Sequence, residues 1–275
     1  MKNPLLYLLL LVSFFAQAQR FQGKIVDQEN APLQYVNIGV VGKDVGTVSS
    51  ARGEFTLTMP DSLNAQTLLI SAIGYTPVKF NVSEFKQRFS GRVAEIQLKE
   101  QSVALQEVVV RPRKYKTKVV GNNATSKRIR GGLISNDLGS EIGTVLDIDK
   151  PSFLEKVTFH VVRNEYDTLF FRINLYKMEA SGPGANLLKE PIYLNISKKD
   201  FIEDISLDLR DRNIYLDSDT FLSLELVRNL GKGGLFFSAG FLNNHSYSRK
   251  TSQGNWTRIP LKAGLGFNAT VSQEK

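Results

Sequence analysis

The chain of 275 residues has no cysteine, two histidines and one tryptophan. Without cysteine there are no disulfides, no thiolate metal ligands, no cysteine nucleophile and no lipid-bearing cysteine of a bacterial lipoprotein. Two histidines do not make a three-histidine zinc site, and no His-Glu-x-x-His is present. Also absent are the Gly-x-Ser-x-Gly elbow of serine hydrolases, the phosphate-cradling Gly-x-x-x-x-Gly-Lys-Ser/Thr loop and a dinucleotide-binding Gly-x-Gly-x-x-Gly after a strand. No later stretch approaches the ~20 apolar residues of a membrane-spanning helix. No cofactor is called for.

What is present begins with a targeting signal. Lys2 gives a positive start, residues 5–15 an apolar segment, and Ala16-Gln17-Ala18 the small residues of a cleavage site, so removal of residues 1–18 is expected. The mature protein is then exported, to the periplasm, the outer membrane or the cell surface. The net charge of +8 is concentrated: eight basic residues and no acid lie between Arg111 and Arg130, and they account for the whole excess of the mature chain. A basic face on a folded domain is therefore missing, which argues against nucleic-acid binding. The basic run reads as a linker over 111–132, a solvated spacer or a segment that leans on an anionic surface.

Before that run, period-two apolar patterns recur between turn signals. At Gly46-Thr47-Val48-Ser49-Ser50-Ala51-Arg52-Gly53-Glu54-Phe55-Thr56-Leu57 a strand end, a turn closed by Gly53 and a return strand follow one another. Gly23-Lys24-Ile25-Val26-Asp27, Pro32-Leu33-Gln34-Tyr35-Val36-Asn37-Ile38, Gly53-Glu54-Phe55 and Ser71-Ala72-Ile73-Gly74-Tyr75 occur in order around it. Together these motifs resemble the carboxypeptidase-regulatory-like domain, a transthyretin-like sandwich of about seven strands. The resemblance implies a non-catalytic accessory module over 19–110, of a kind found at the front of outer-membrane receptors and surface proteins of Gram-negative bacteria. Leu105, Glu107, Val108, Val109 and Val110 resemble the stretch that follows this domain in energy-coupled receptors. About 165 residues remain after it, too few for a plug and a 22-strand barrel at ~10 residues per strand. The stretch is a last strand or a relic of shared ancestry, or else an edge offered to a periplasmic partner.

Residues 133–275 return to strand patterning. Leu169, Phe171, Ile173 and Leu175 alternate with a mixed set, Phe170, Arg172, Asn174 and Tyr176, and Leu222, Leu224 and Leu226 line one face of another strand. Nine or so strands with long connections predict a jelly-roll-like β-sandwich, similar in outline to accessory domains of exported bacterial proteins, many of which hold carbohydrate. The whole chain is thus expected to be all-β, with no long helix.

Its chemistry is sparse. His160 falls within a strand and reads as structural; His245 lies in a loop. Glu203, Asp204, Asp208, Asp211, Asp217 and Asp219 cluster in sequence among turns, and read as solvated charges, with Asp217 and Asp219 as the option for a calcium site. Tyr247, Arg249, Asn255 and Trp256 mix rings with amide and guanidinium groups, the chemistry that holds a sugar. The opposing reading is a hairpin turning at Gln253-Gly254 with Trp256 in the core. Three functions stay open: a non-enzymatic envelope protein binding a glycan or a protein, an exported carbohydrate-active hydrolase with a hidden carboxylate pair, and a periplasmic adaptor docking through 105–110.

Overall fold

A computed structural model describes residues 18–101, 115–134, 136–241 and 245–274. The leader up to residue 17 and the 105–110 stretch, with Leu105, Glu107, Val108, Val109 and Val110, lie outside the described residues.

The chain first builds β1 (Ala18–Val26), β2 (Asn37–Val40), β3 (Gly46–Val48), β4 (Glu54–Pro60), β5 (Thr67–Ser71), β6 (Tyr75–Thr76) and β7 (Val78–Asn81). Helix α1 (Val82–Phe89), β8 (Ala94–Gln97) and β9 (Lys99–Glu100) complete the unit. Sheets β4-β1-β8 and β3-β2-β5-β7 supply the seven strands expected, and β6 with β9 adds a short ribbon. Phe55, Leu57 and Met59 alternate inward from β4 to meet Phe21 and Ile25 of β1 and Ile38, Val40, Leu68 and Ile70 of the facing sheet. The turn before β4 forms as read. Gly53 has φ +76°, its N–H donates to the Ser50 carbonyl at 2.9 Å, and Ser50 Oγ accepts from the N–H groups of Arg52 and Glu54.

Helix α1, two turns long, is the one helix longer than a single 3-10 turn among the described residues. Asn81 Oδ1 caps the Ser83 N–H at 2.9 Å, and Val82, Phe85 and Phe89 fall on the face that meets the core. Two turns of helix are too short to impose a clear 3.6 period on the sequence.

The second unit contains β10 (Tyr115–Gly121), β11 (Arg130–Leu133), β12 (Glu141–Leu146), β13 (Ser152–Asn164), β14 (Thr168–Glu179), β15 (Gly182–Asn186), β16 (Ile192–Ser197) and β17 (Asp204–Asp208). It continues with β18 (Tyr215–Leu216), β19 (Thr220–Leu226), β20 (Leu235–Gly240), β21 (Ser246–Arg249), β22 (Thr257–Arg258), β23 (Gly264–Leu265) and β24 (Phe267–Glu274). One sheet carries the row β10-β24-β13-β17, the other the row β12-β19-β14-β16 extended by β21 and β22. These eight strands, crossing between the sheets as the chain proceeds, have the order of a jelly roll. Phe159, Phe171, Phe237 and Phe267 fill the space between the sheets with Leu and Ile from both. The protein is all-β in architecture, with α1 as a minor helix.

Part of the segment read as a linker is sheet. Thr117, Val119 and Val120 favour extended backbone, and β10 pairs along its length with β24. Lys116 and Lys118 on this edge strand discourage pairing with another chain.

Candidate functional site

Four charged side chains lie in one row across the second sandwich. Arg172 of β14 stands opposite Glu225 of β19, Glu225 opposite Glu141 of β12, and Glu141 opposite Arg249 of β21. The order of charge is plus, minus, minus, plus. Both glutamates are 0% exposed and Arg172 is 4% exposed.

Like charges in direct cross-strand register repel, so the Glu225–Glu141 step needs compensation. Asn174 supplies part of it: its Nδ2 donates to Glu225 Oε2 at 2.8 Å and to Glu141 Oε1 at 2.9 Å. Arg172 donates to Glu225 Oε2 from Nη2 at 2.7 Å and Nε at 3.1 Å, while Arg249 Nη2 lies 2.5 Å from Glu141 Oε2. Ser223 Oγ donates to Glu141 Oε1 at 2.5 Å, and Tyr176 OH to Oε2 at 3.3 Å. Burial pushes the Glu141 carboxyl above its usual range, and the neighbouring Glu225 charge adds to this against the pull of Arg249. Burial acts against the Glu225 charge too, but Arg172 and Arg249 outweigh it and hold that carboxyl below its usual range.

The row faces the first sandwich, which completes it. Asn37 Nδ2 donates to Glu225 Oε1 at 2.8 Å. Arg172 Nη1 donates to the Tyr35 carbonyl at 2.7 Å, and Nη2 donates to Asn37 Oδ1. Tyr35 is held at φ +55°, a strained value for a residue with a side chain, and its ring packs on Phe170 and Tyr193.

A loop beside the row makes the second tie. Ser252 is fully buried against Gly39 and Gly46 of the first sandwich and Gly139 of the second, where any added Cβ would collide with it. Gln253 accepts the Gly42 N–H at 2.9 Å through its carbonyl and donates from Nε2 to Ser71 Oγ at 2.9 Å. Lys250 pairs with Asp44 at 2.9 Å.

Of the four residues read as a sugar contact, Asn255 reaches the first sandwich, while Arg249, Trp256 and Tyr247 pack within the second. Arg249 is engaged by Glu141, and Asn255 Nδ2 donates to the Gly42 carbonyl at 2.9 Å. Trp256 is half-buried, its ring 5.1 Å from Phe221, 5.7 Å from Tyr176 and 4.6 Å from the Arg249 guanidinium; Tyr247 sits edge-on to Phe221.

The histidines and most of the acids singled out in the sequence are engaged locally. His160 sits between Asp204 (2.6 Å from Nδ1) and Asn268 (3.0 Å from Nε2), and Arg258 contacts the His245 ring. Asp208 pairs with Arg210 and Glu203 with Lys127. Asp219 accepts the Ile148 N–H at 2.9 Å and Asp217 the Ser218 hydroxyl at 2.8 Å. No group of three or more His, Cys, Asp or Glu among the described residues is arranged to hold a metal. Within the basic run, Lys118 pairs with Asp149 and Arg130 lies over the Phe236 ring; Arg111, Arg113 and Lys114 lie outside the described residues.

On the opposite outer face of the jelly roll is an open hollow of about 340 Å³ lined by Tyr115, Lys150, Pro151, Phe153, Tyr215, Ser272 and Glu274. Register builds it. Phe153 of β13 stands opposite both Tyr215 of β18 and Ser272 of β24, and Tyr115 of β10 stands opposite Glu274. The Phe153 ring lies 5.2 Å from Tyr215 and 6.2 Å from Tyr115, edge to face in both cases. None of these residues stands out in the sequence, because only strand register makes them neighbours.

Residues 21–110 match the CarboxypepD_reg-like domain. The match thus covers the first sandwich and the stretch that follows it. No curated protein matches the chain. Among solved structures, BcpA, the major pilin subunit of Bacillus cereus, aligns over 90% of this chain and 69% of its own at 12% identity and a TM-score of 0.20. A variant of the same subunit aligns over the same shares at 10% identity and a TM-score of 0.20. No helix among the described residues is long and apolar enough to cross a membrane.

Proposed function

We propose that this is a non-catalytic protein of the cell envelope, exported through its leader, in which a CarboxypepD_reg-like domain and a jelly roll together present surfaces for a glycan or protein partner. The observation that carries this reading is the state of Glu141 and Glu225. A hydrolase of the carbohydrate-active kind needs two carboxylates that reach a substrate, one to give and one to take a proton. Here the two acids stand side by side, but both are fully buried, each is bound to an arginine, and all four carboxylate oxygens have partners within the protein. Glu225, with its partner Arg172, is spent on binding the first sandwich, and Glu141 on its own sheet. The match to an accessory domain supports the same reading.

The test has two arms. The exported protein is expected in the envelope fraction of its cells, and the purified chain is expected to leave a panel of chromogenic glycosides, esters and peptides uncleaved. Turnover that disappears in Glu141→Gln or Glu225→Gln would overturn the proposal, as would recovery of the protein in the cytosol alone.

A further inference from the structure

We propose that the notch beside the first half of β1 is a strand-docking site that takes an extended acidic segment of a partner protein; this rests on the reading of the chain as a binding protein. On one side β1 pairs with β4 along residues 18–24, but on the other side β8 joins it only over residues 23–26. Residues 19–22 thus have a strand on one side and none on the other among the described residues. Ile25 turns toward the β4 side, its N–H donating to the Gly53 carbonyl at 2.9 Å. Backbone direction alternates along a strand, so Gln19 and Phe21 turn the same way, while the N–H groups of Arg20 and Gln22 and the Arg20 carbonyl turn to the open side. Such a row of free groups is a template for one more strand.

The space for that strand is present. A hollow of about 350 Å³ lies along the open edge, between residues 19–22 of β1 and the turn that joins α1 to β8. Four residues at about 3.3 Å each give an edge of roughly 13 Å, enough for a short strand. From the core side the hollow is lined by Phe21 and Phe89, both buried and both packed on Phe85, with ring centroids 5.5 and 4.8 Å away. Val93, on the wall across from β1, is 66% exposed.

Charge selects the occupant. Arg20 and Arg92 line the hollow and no acid does. Arg92 is held in place by its Nε, which donates to the Arg88 carbonyl at 2.6 Å, and the Arg88 guanidinium lies over the rings of Phe80 and Phe89. None of these three arginines has a carboxylate partner among the described residues. Like charges set against each other oppose pairing, so two such edges repel and a second copy of this one is excluded. A strand that carries carboxylates is attracted instead. Its side chains alternate between two faces: the inward set meets Phe21 and Phe89, and the outward set comes beside Arg20. Alternating apolar and acidic residues answer both. A glycan or an anionic lipid head has no row of N–H and C=O groups at strand spacing, and would leave the backbone edge unpaired.

The experiment is fluorescence anisotropy of the full exported chain with a labelled Val-Glu-Val-Glu-Val-Glu peptide. Its comparators are the lysine counterpart, Val-Lys-Val-Lys-Val-Lys, and the acidic peptide with proline at the second valine. The acidic peptide is expected to bind saturably, and the lysine peptide at least about tenfold more weakly. Proline removes a ladder donor and should cost about fivefold or more. Arg20→Glu and Arg92→Glu should each weaken the acidic peptide about fivefold, and the double variant should prefer the lysine peptide. Both arginines are exposed, so the melting temperature should stay put and a loss of binding is not a loss of fold. With the acidic peptide bound, amide exchange at Arg20 and Gln22 should slow about tenfold. No saturable binding of the acidic peptide, equal binding of the lysine peptide, a double variant that binds like the parent, or protection confined to another edge would overturn the assignment. Failure of the peptide in a chain that is found in the envelope and turns nothing over strikes this site alone; turnover, or a chain confined to the cytosol, would instead bring down the broader reading.

Discussion

Replacing Arg172 by methionine tests whether the charge row joins the two sandwiches. The side chain keeps an apolar stem and loses the guanidinium with every donor. Two hydrogen bonds to Glu225 disappear, together with the bonds to the Tyr35 carbonyl and to Asn37 across the junction. Glu225 then keeps Asn37 and Asn174 at 2.8 Å, and its only remaining cation in the row is Arg249 at 4.0 Å. Breaking a buried ion pair from one side costs about 3–5 kcal/mol, chiefly because the surviving charge stays buried. For a unit of this size each kcal/mol moves the melting temperature by about 2–4 °C, so the second sandwich should melt about 6–20 °C lower. Because two units need not melt together, the transition is best followed through Trp256, whose ring lies over Arg249 in this cluster. Arg172→Met with Glu225→Leu supplies the control. Removing both charges takes away the stranded carboxylate, and the double variant should recover part of the loss. A single variant melting within about 2 °C of the parent would refute the reasoning, as would a double variant less stable than the single.

Two further outcomes follow from the same junction. Gly39→Val places a branched side chain where Ser252 sits, so the sandwiches should separate: protease cleavage between them should speed up at least tenfold, while each retains its own unfolding transition. Unchanged cleavage would mean the Ser252 wedge does not hold the junction. The second outcome concerns acid. Because the Glu225 carboxyl is held below its usual 4.5, its stabilisation is present above that value and is lost as pH falls through the folded value; Glu141, shifted upward, contributes with the opposite sign as pH rises past 4.5. Glu225→Gln should therefore lower the urea midpoint at pH 5 and then lose less than the parent between pH 5 and pH 3. An equal loss in both proteins would contradict the assignment.

Strands were legible where one residue in two is apolar and the partner lies close in sequence. Phe55, Leu57 and Met59 announce β4, and Gly53 announces the turn that starts it. Leu222, Leu224 and Leu226 announce one face of β19, but the other face, with Phe221, Ser223 and Glu225, is buried as well. That second burial comes from elements far away in the chain, and no local period encodes it. The trace it leaves is a lone acid inside a strand of leucines, and on β14 an arginine and an asparagine among Phe171, Ile173 and Leu175. Such residues signal a buried polar row once strand pairing is known. Before that, Arg172 has no more reason to meet Glu225 than any other acid. The rings at 115, 153 and 215 were hidden for the same reason, since only register makes them neighbours.

The order of the row also restricts which pairing is possible. An all-apolar row of similar volume would bind the sheets at least as strongly, since buried ion pairs seldom exceed well-packed side chains in net stability. It would also accept a slip of two residues, which keeps every side chain on the same face. The charged row does not. Sliding β14 by two against β19 puts Glu225 opposite Asn174 or Phe170 and Arg172 opposite Ser223 or Val227. Each such arrangement strands a carboxylate and a guanidinium inside the protein, at several kcal/mol. It also draws Arg172 away from Tyr35 and Asn37, so the first sandwich loses its seat. Arg172 and Glu225, which set the register of β14 against β19, therefore also set where the first sandwich docks.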